Sequence, residues 1–341
     1  MREIIPQFTY EALKAALYAH RKQMSKAQRR RKKKPVTNLY PWSTERRYAA
    51  TILSWLNPLK IFVTEYLKNN LDTILRGDNS SPVRNDVLPG GSMRRMVATL
   101  DGWIAEYFPP IEERNRTRRA PPTVYIGLGN IAEAVSEFNS NQWAKIAKEN
   151  IGIEFPVYES WWTDTKQLWA DENYKLIKKL SNDYIAQINR LTERAVTNGW
   201  SPRHLAKEIQ RAADGHIAKN RANLIARDQI GKLNGRVTQA RMQAVGLSMY
   251  EWSTSFDERV RGNPAGIYPN ARPSHYALEG MICKWSDSTV YSPNRGKSWK
   301  PRPASWCQLH PGIDIQCRCT ALTFWDGLVN EVDNQINNEN R

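Results

Sequence analysis

At 341 residues the chain can hold two or three domains, each large enough to bury a core, and an apolar fraction of 40% argues against wholesale disorder. Its net charge of +16 and pI near 9.7 favour polyanionic partners, nucleic acid first. There is no apolar run of the roughly 18 residues needed to cross a membrane and no apolar leader, so the sequence reads as neither membrane-inserted nor secreted.

Residues 1–20 carry a weak helical stripe (Ile4, Ile5, Phe8, Leu13, Leu17) with little in sequence to bury it, so a marginal helix or arm is expected. From Arg21 to Lys34, nine of fourteen residues are basic and none is acidic. Arg21, Lys22, Lys26, Arg29, Arg30, Arg31, Lys32, Lys33 and Lys34 are therefore the candidate DNA-binding residues. Their contacts would be to phosphates and indifferent to sequence, because no base-reading element accompanies them.

Tyr48, Ile52, Leu56, Leu59, Val63, Tyr66 and Ile74 recur at three and four, which predicts a helix with a break or kink at Pro58, or two helices. Gly77–Ser92 reads as a linker and Met93–Phe108 as another helix. A second basic run (Arg114, Arg116, Arg118, Arg119) precedes Pro121-Pro122. Thr123–Ile126 reads as a short strand, Gly127-Leu128-Gly129 as a turn, Ile131–Asn150 as a helix and Glu154–Asp164 as an aromatic connector.

Beyond Thr165 the pattern is cleaner. Ile177, Leu180, Tyr184, Ile188, Leu191 and Ala195 predict a long amphipathic helix that stops at Asn198-Gly199. Ser201-Pro202 then starts a second helix as N-cap and first-turn proline. A third runs from about Ala218 to Val245, with Arg221, Arg227, Arg236 and Arg241 on its polar face and Gly246 at its end. The alternation in Leu247–Ser253 predicts a strand. Helices followed by a strand and a turn-rich segment give an α+β fold: a mainly helical N-terminal half, then a helices-then-strands C-terminal domain with a turn-rich Cys/His segment.

That segment is the densest part of the chain. All four cysteines (Cys283, Cys307, Cys317, Cys319) and two of the five histidines, His275 and His310, fall within 45 residues. Cys317 and Cys319, only two apart, do not suggest a secreted disulfide framework and fit a reduced, intracellular chain.

Several pieces in fixed order resemble one family. They are Ala226-Arg227-Asp228-Gln229, the long helix after it, Gly246 with Tyr250-Glu251-Trp252, Asp257 to Arg261, Arg272-Pro273-Ser274-His275 with Leu278-Glu279-Gly280, and His310-Pro311 through Cys317-Arg318-Cys319. Over residues 165–325 the chain resembles the phage head-morphogenesis family, also called minor head or minor capsid proteins, the family of the phage Mu F protein. It departs from the family where Asp228-Gln229 replaces the usual Thr-Glu, and in the long segments Gly262–Ala271 and Ser286–Ser305.

The resemblance implies a minor capsid, head-morphogenesis structural protein of a tailed phage, bound near the portal and inner head, aiding head assembly and DNA packaging or delivery. The portal protein, the major capsid protein and phage DNA are the implied partners, with no membrane. The implied location is the virion, at the head interior or portal vertex, after assembly in the host cytoplasm. Arg227, Asp257, Arg259, His275, Gly280, His310, Cys317 and Arg318 are the structural motif residues. No catalytic residue is assigned, so the chain is read as a non-enzyme.

Two other readings of the Cys/His segment stand beside this one. His310, Cys317, Cys319 and Cys307 offer a tetrahedral zinc set, with His275 and Cys283 as further donors; otherwise the thiols are core and no cofactor is bound. Alternatively Asp257, Glu258, His275 and Cys317 form an active site acting on nucleic acid or protein. Pairing of Asp257-Glu258-Arg259 with the helix carrying Arg227 explains those charges equally well. The expected organisation is a basic arm over 1–42, a helical region over 43–160, the head-morphogenesis domain over 161–326 and a polar tail over 327–341.

Overall fold

The computed structural model describes residues 9–29, 40–76, 91–110, 123–153, 159–214 and 216–339. Its helices, in chain order, are α1 (Tyr10–Lys22), α2 (Lys26–Arg29), α3 (Trp42–Arg76), α4 (Gly91–Tyr107), α5 (Thr123–Ile151), α6 (Trp162–Thr197), α7 (Pro202–Asp214), α8 (His216–Ala244) and α9 (Asp326–Glu339). Five short strands lie between the last two: β1 (Met249–Ser253), β2 (Ile282–Lys284), β3 (Val290–Tyr291), β4 (Lys300–Pro301) and β5 (Thr320–Thr323). The fold is α+β. Among the described residues no helix is long and apolar enough to cross a membrane.

The chain divides into two compact units that do not follow sequence order. One holds Glu45–Ile131 and Gln167–Ala226. It is helical, with a core that includes Ile52, Leu59, Val63, Met96, Leu100, Val124, Leu128, Trp169 and Ile177. Polar contacts cross that core: Tyr48 donates to Asn173 Oδ1 at 2.7 Å, and Lys178 donates to the carbonyl of Phe108 at 2.8 Å, where α4 ends. Helix α3 continues through Pro58.

Residues 123–129 correct the sequence reading, because they form the first turns of α5 and neither a strand nor a turn. Val124, Leu128, Ile131, Ala132 and Val135 extend one buried stripe at helical spacing. Gly127 is needed there for close approach, since a Cβ would run into the ring of Trp55.

The predicted helix ends hold. Trp200 N–H reaches back to Ala195 O at 2.8 Å around Gly199 (φ +60°), and Leu247 N–H to Met242 O at 2.9 Å around Gly246 (φ +75°). Ser201 Oγ accepts from His204 N–H at 3.2 Å, capping α7.

The other unit combines Met1–Thr44, Ala132–Lys166 and Arg227–Arg341. Strand β1 is central in a three-stranded antiparallel sheet of order β2-β1-β5, and β3 and β4 form a separate pair. Alternation along β1 buries Tyr250 and Trp252 completely. They join one core with Leu13 and Leu17 of α1, Trp143 of α5, Met242 of α8, Leu328, Val332 and Ile336 of α9, and all four cysteines.

Within the expected polar tail, Asp326–Glu339 is a helix with a buried stripe at spacing four, matched by that of α1. Charge aligns the pair. Tyr10 donates to Glu331 at 3.1 Å, Lys14 pairs with Glu331, Tyr18 with Glu339, and Lys22 sits 3.2 Å from Glu339. Arg21 lies 3% exposed and forks onto Asp333 through Nε (2.8 Å) and Nη2 (2.7 Å). This removes Arg21 from the expected phosphate contacts, since its guanidinium faces the protein. Arg30–Lys34, and the second basic run at Arg114–Arg119, lie outside the described residues.

Arg241 is a further correction, being 1% exposed instead of on the polar face of α8. It bonds Glu159 at 2.5 Å, Asn139 at 2.6 Å and Ser136 at 2.9 Å, so all three of its nitrogens have partners. Asn139 also donates to Asn234 and Thr238, fastening α5 to α8.

The Arg21 pair generates an asymmetric prediction. Asp333→Ala leaves a buried guanidinium with, among the described residues, the carbonyl of Arg29 as its partner, and a loss of about 2–4 kcal/mol is expected. Arg21→Met keeps the buried stem, leaves an Asp333 carboxylate that reaches water, and should cost clearly less. Urea unfolding of both variants is the check; equal losses would contradict the assignment.

Candidate functional site

The turn-rich segment is built on backbone contact with α8. Gly231 and Gly235, one turn apart, lie against the loop 311–317: a Cβ on Gly231 would overlap Cys317 O, and one on Gly235 would fall 2.5 Å from Pro311 O. Gly312 (φ +83°) meets them from the loop side, with its own Cβ position 2.5 Å from Gly231 O. One turn earlier, Asp228 Oδ1 accepts from Gln316 N–H at 3.1 Å, and the same carboxylate is held by Lys232 at 2.7 Å. This contact caps the loop where Gln316 adopts a left-handed conformation (φ +56°).

On the opposite side His275 is held by backbone. Its N–H donates to Arg261 O at 2.9 Å, while neighbouring Ser274 exchanges bonds with the next segment: Ser274 N–H to Ser305 O at 2.8 Å and Cys307 N–H to Ser274 O at 2.9 Å. That ladder sets Cys307 beside His275. Glu279 Oε2 accepts from Thr254 N–H at 2.6 Å, and Gly280 (φ +71°) donates to Trp252 O at 2.9 Å, anchoring this strap to β1.

The side chains then meet. Cys317 Sγ and Cys319 Sγ stand 3.4 and 3.5 Å from His275 Nδ1, and His275 Nε2 is 3.0 Å from Asp314 Oδ2. Asp314 is also paired with Arg261 at 2.7 Å. Gly312 N–H and Cys319 N–H both point at Cys317 Sγ at 3.4 Å. His275, Cys307, Cys317 and Cys319 are all at most 5% exposed.

Charge follows from these contacts. Burial works against a charged His275, but hydrogen bonds to Asp314, Cys307 and Cys317 overcome it and push the imidazole up to about 11. The same bond to His275 holds Asp314 down to about 2. Hydrogen bonding from Cys319, aided by His275, holds the Cys317 thiol well below its usual range against burial, and that same Cys317 bond holds Cys319 well above it. Sulfur, imidazole and carboxylate are thus lined up, a set able to bind a soft metal or serve as a polar hub.

The cluster borders a cleft of about 500 Å³ lined by Arg227, Arg259, Arg261 and Arg318, with Ile267 and Tyr268 of the long segment 262–271 closing one side. Arg318 lies over the ring of Trp42 (4.3 Å) and 3.8 Å from Asp257.

Not all candidate residues converge. His310 is corrected out of the metal set: its Nδ1 meets Tyr250 Oη at 3.0 Å and its ring packs on Trp285. Burial and the nearby Arg302 charge hold its imidazole below the ordinary value. Asp257 turns to Arg259 N–H (2.9 Å) and to Arg318, while Arg227 bonds Gln316 at 3.1 Å.

The sequence reading missed Asp314, which lies inside the His310–Cys319 motif, and Arg302. Arg302 is 5% exposed and donates to the carbonyls of Val290, Cys307 and Leu309. Gly231 and Gly235 were legible only as a small-residue spacing on one helix face.

Residues 186–322 match the family model described as Phage Mu protein F like protein. That match supports the resemblance to the phage head-morphogenesis family over this part of the chain. The Mu F-like segment includes every residue of the cluster. The chain is also 31% identical over 154 residues to an uncharacterized protein of Haemophilus influenzae, a match covering 45% of this chain and 28% of that protein's length. No solved structure matches the chain.

If the glycine face of α8 seats the loop, Gly231→Val should displace Cys317 from His275. We expect a loss of about 1–3 kcal/mol and native-state reaction of Cys317 and Cys319 with a thiol reagent, in chelator-containing buffer, that the parent protein resists. Unchanged thiol reactivity in a folded Gly231→Val protein would refute the seating.

Proposed function

We propose that the chain is a minor capsid, head-morphogenesis structural protein of a tailed phage. In this reading it sits near the portal and inner head and contributes to head assembly and to packaging or delivery of DNA, working by binding without turnover. The observation that carries it is the Phage Mu F-like match over residues 186–322. The partners are the portal protein, the major capsid protein and phage DNA; the location is the virion, reached by assembly in the host cytoplasm.

The charge of +16 supports binding to DNA. The phosphate-facing set is revised to Lys26, Arg29 and Arg30–Lys34, because Arg21 is occupied by Asp333 and Lys22 lies against Glu339. Removing the whole Arg21–Lys34 run would confuse weaker DNA binding with disruption of the α1–α9 packing. Replacing Lys26, Arg29 and Arg30–Lys34 by Gln avoids this. It should weaken retention on DNA at about 50 mM salt and flatten the salt dependence by up to about 0.9 in log–log slope for each phosphate no longer neutralised; unchanged retention removes the run from the mechanism.

A second reading is favoured by one observation, the line Cys317, His275, Asp314, which has the order of a thiol, its base and an orienting acid. An enzyme of that kind must show turnover that His275→Ala abolishes while the fold persists. The burial of Cys317 Sγ and its two backbone N–H donors weigh toward a structural role.

Co-expression with the portal and major capsid proteins of the same genome tests the first reading. The expected outcome is co-purification with the portal in a few copies per ring. Binding to neither protein overturns it.

A further inference from the structure

Two buried thiols and an imidazole share one point in the core, Cys317 and Cys319 from the loop seated on α8 and His275 from the strap after the 262–271 loop, while a third buried thiol, Cys307 from the segment after β4, lies beside the same imidazole with Asp314. The geometry is more specific than a hydrophobic cluster requires. A tetrahedral zinc ion, with Zn–N of about 2.0–2.1 Å and Zn–S of about 2.3 Å, holds its nitrogen and sulfur ligands about 3.6 Å apart. The two His275 Nδ1 to Sγ separations are 3.4 and 3.5 Å. The donor atoms of His275, Cys317 and Cys319 all lie within 4.8 Å of one another, as do those of His275, Cys307 and Asp314.

The surroundings fit a metal as well. His275 Nε2 faces Asp314 Oδ2 at 3.0 Å, the carboxylate–histidine arrangement that fixes a ligating imidazole with its other nitrogen toward the ion. Arg261 holds Asp314 from the far side at 2.7 Å. Cys317 Sγ receives the N–H groups of Gly312 and Cys319, donors that suit a sulfur carrying charge. Cys283, the fourth cysteine, is equally buried but lies on β2 outside the set.

We propose that Cys317 and Cys319 through Sγ and His275 through Nδ1 bind one zinc ion, and that Cys307, which stands beside the same imidazole, moves in through Sγ to close the tetrahedral site. All three sulfurs bind as thiolates and His275 as a neutral imidazole, so the protons still carried by the sulfurs and by Nδ1 leave on binding, and Asp314 accepts from the remaining Nε2–H. With four protein ligands no position is open for water, so the ion ties the segments together and performs no chemistry of its own. Imidazole with three thiolates suits zinc among the common divalent ions. A domain whose strands are two to five residues long gains a cross-link that its sheet does not provide.

The test uses the full chain expressed in zinc-supplemented medium. Metal analysis should find about one zinc per chain, and X-ray absorption should show three sulfurs at about 2.3 Å and one nitrogen at about 2.0–2.1 Å. Cobalt exchanged into the chelator-stripped protein should give intense thiolate-to-metal absorption. Cys283→Ser should keep full zinc content, whereas Cys307→Ser and Cys317→Ser should lose affinity for zinc at least tenfold in competition with a chromophoric chelator. Less than about 0.2 zinc per chain, with no thiolate–cobalt bands, overturns the proposal. So does a metal shell with fewer than three sulfurs. The parent-protein measurements stand even where a cysteine variant fails to fold, and none of them depends on the phage reading.

Discussion

The site rests on space along one helix that no side chain fills. Glycine in a helix interior costs about 1 kcal/mol relative to alanine, and α8 carries two, Gly231 and Gly235, on the face that receives residues 311–317. Their cost is offset by an approach in which loop carbonyls lie where Cβ atoms would otherwise be. Because the loop cannot slide along so close a seat, the sulfurs of Cys317 and Cys319 are held at a fixed distance from α8. His275 is fixed independently from the opposite side by Arg261 and Ser305–Cys307. Two rigid supports built from backbone explain how short, irregular segments place four polar side chains within hydrogen-bonding distance.

The surrounding core depends on the same logic applied to arginine. Arg21, Arg241 and Arg302 are each 5% exposed or less, and each directs its planar donor set at carboxylates, amides or carbonyls of other segments. A guanidinium buried without such partners would be strongly destabilising, so these residues specify which segments meet as much as they add stability. Arg302 is the most informative of them. By gathering the carbonyls of Val290, Cys307 and Leu309 it turns a stretch with almost no regular structure into one with its backbone groups satisfied.

Local signals in the sequence carried the helices and their ends. Apolar spacing marked α3, α4, α6 and α8; Gly199, Gly246 and Ser201 marked boundaries through backbone requirements that act within a few residues. Thr123–Gly129 misled for a related reason: Val124, Tyr125 and Ile126 favour strands locally, and Gly127-Leu128-Gly129 suggests a turn, but the deciding partner is Trp55, far earlier in the chain. Arg241, the α1–α9 pairing and the exchange of His310 for His275 are of the same kind. Each depends on a partner distant in sequence, and nothing in the neighbouring residues distinguishes a histidine that faces sulfur from one that faces Tyr250. The four cysteines and two histidines were recognisable as a cluster because composition reveals co-occurrence. Which of them touch is a property of the fold.

That difference also separates the two chemical interpretations of the cluster. A catalytic thiol has to reach a substrate, and the Arg-lined cleft brings solvent to the edge of the site. Yet Cys317 Sγ already faces the His275 imidazole, two backbone N–H groups and the Cys319 thiol, and attack on a substrate would require it to leave several of them. A cation where His275, Cys317 and Cys319 meet asks only Cys307 to move. It replaces protons, keeps Cys317 and Cys319 where they are, and balances negative charge that is otherwise costly at this depth. The geometry that makes Cys317 a poor nucleophile is the geometry that makes it a good ligand, and the residues that position it belong to the segment shared with the Mu F-like family.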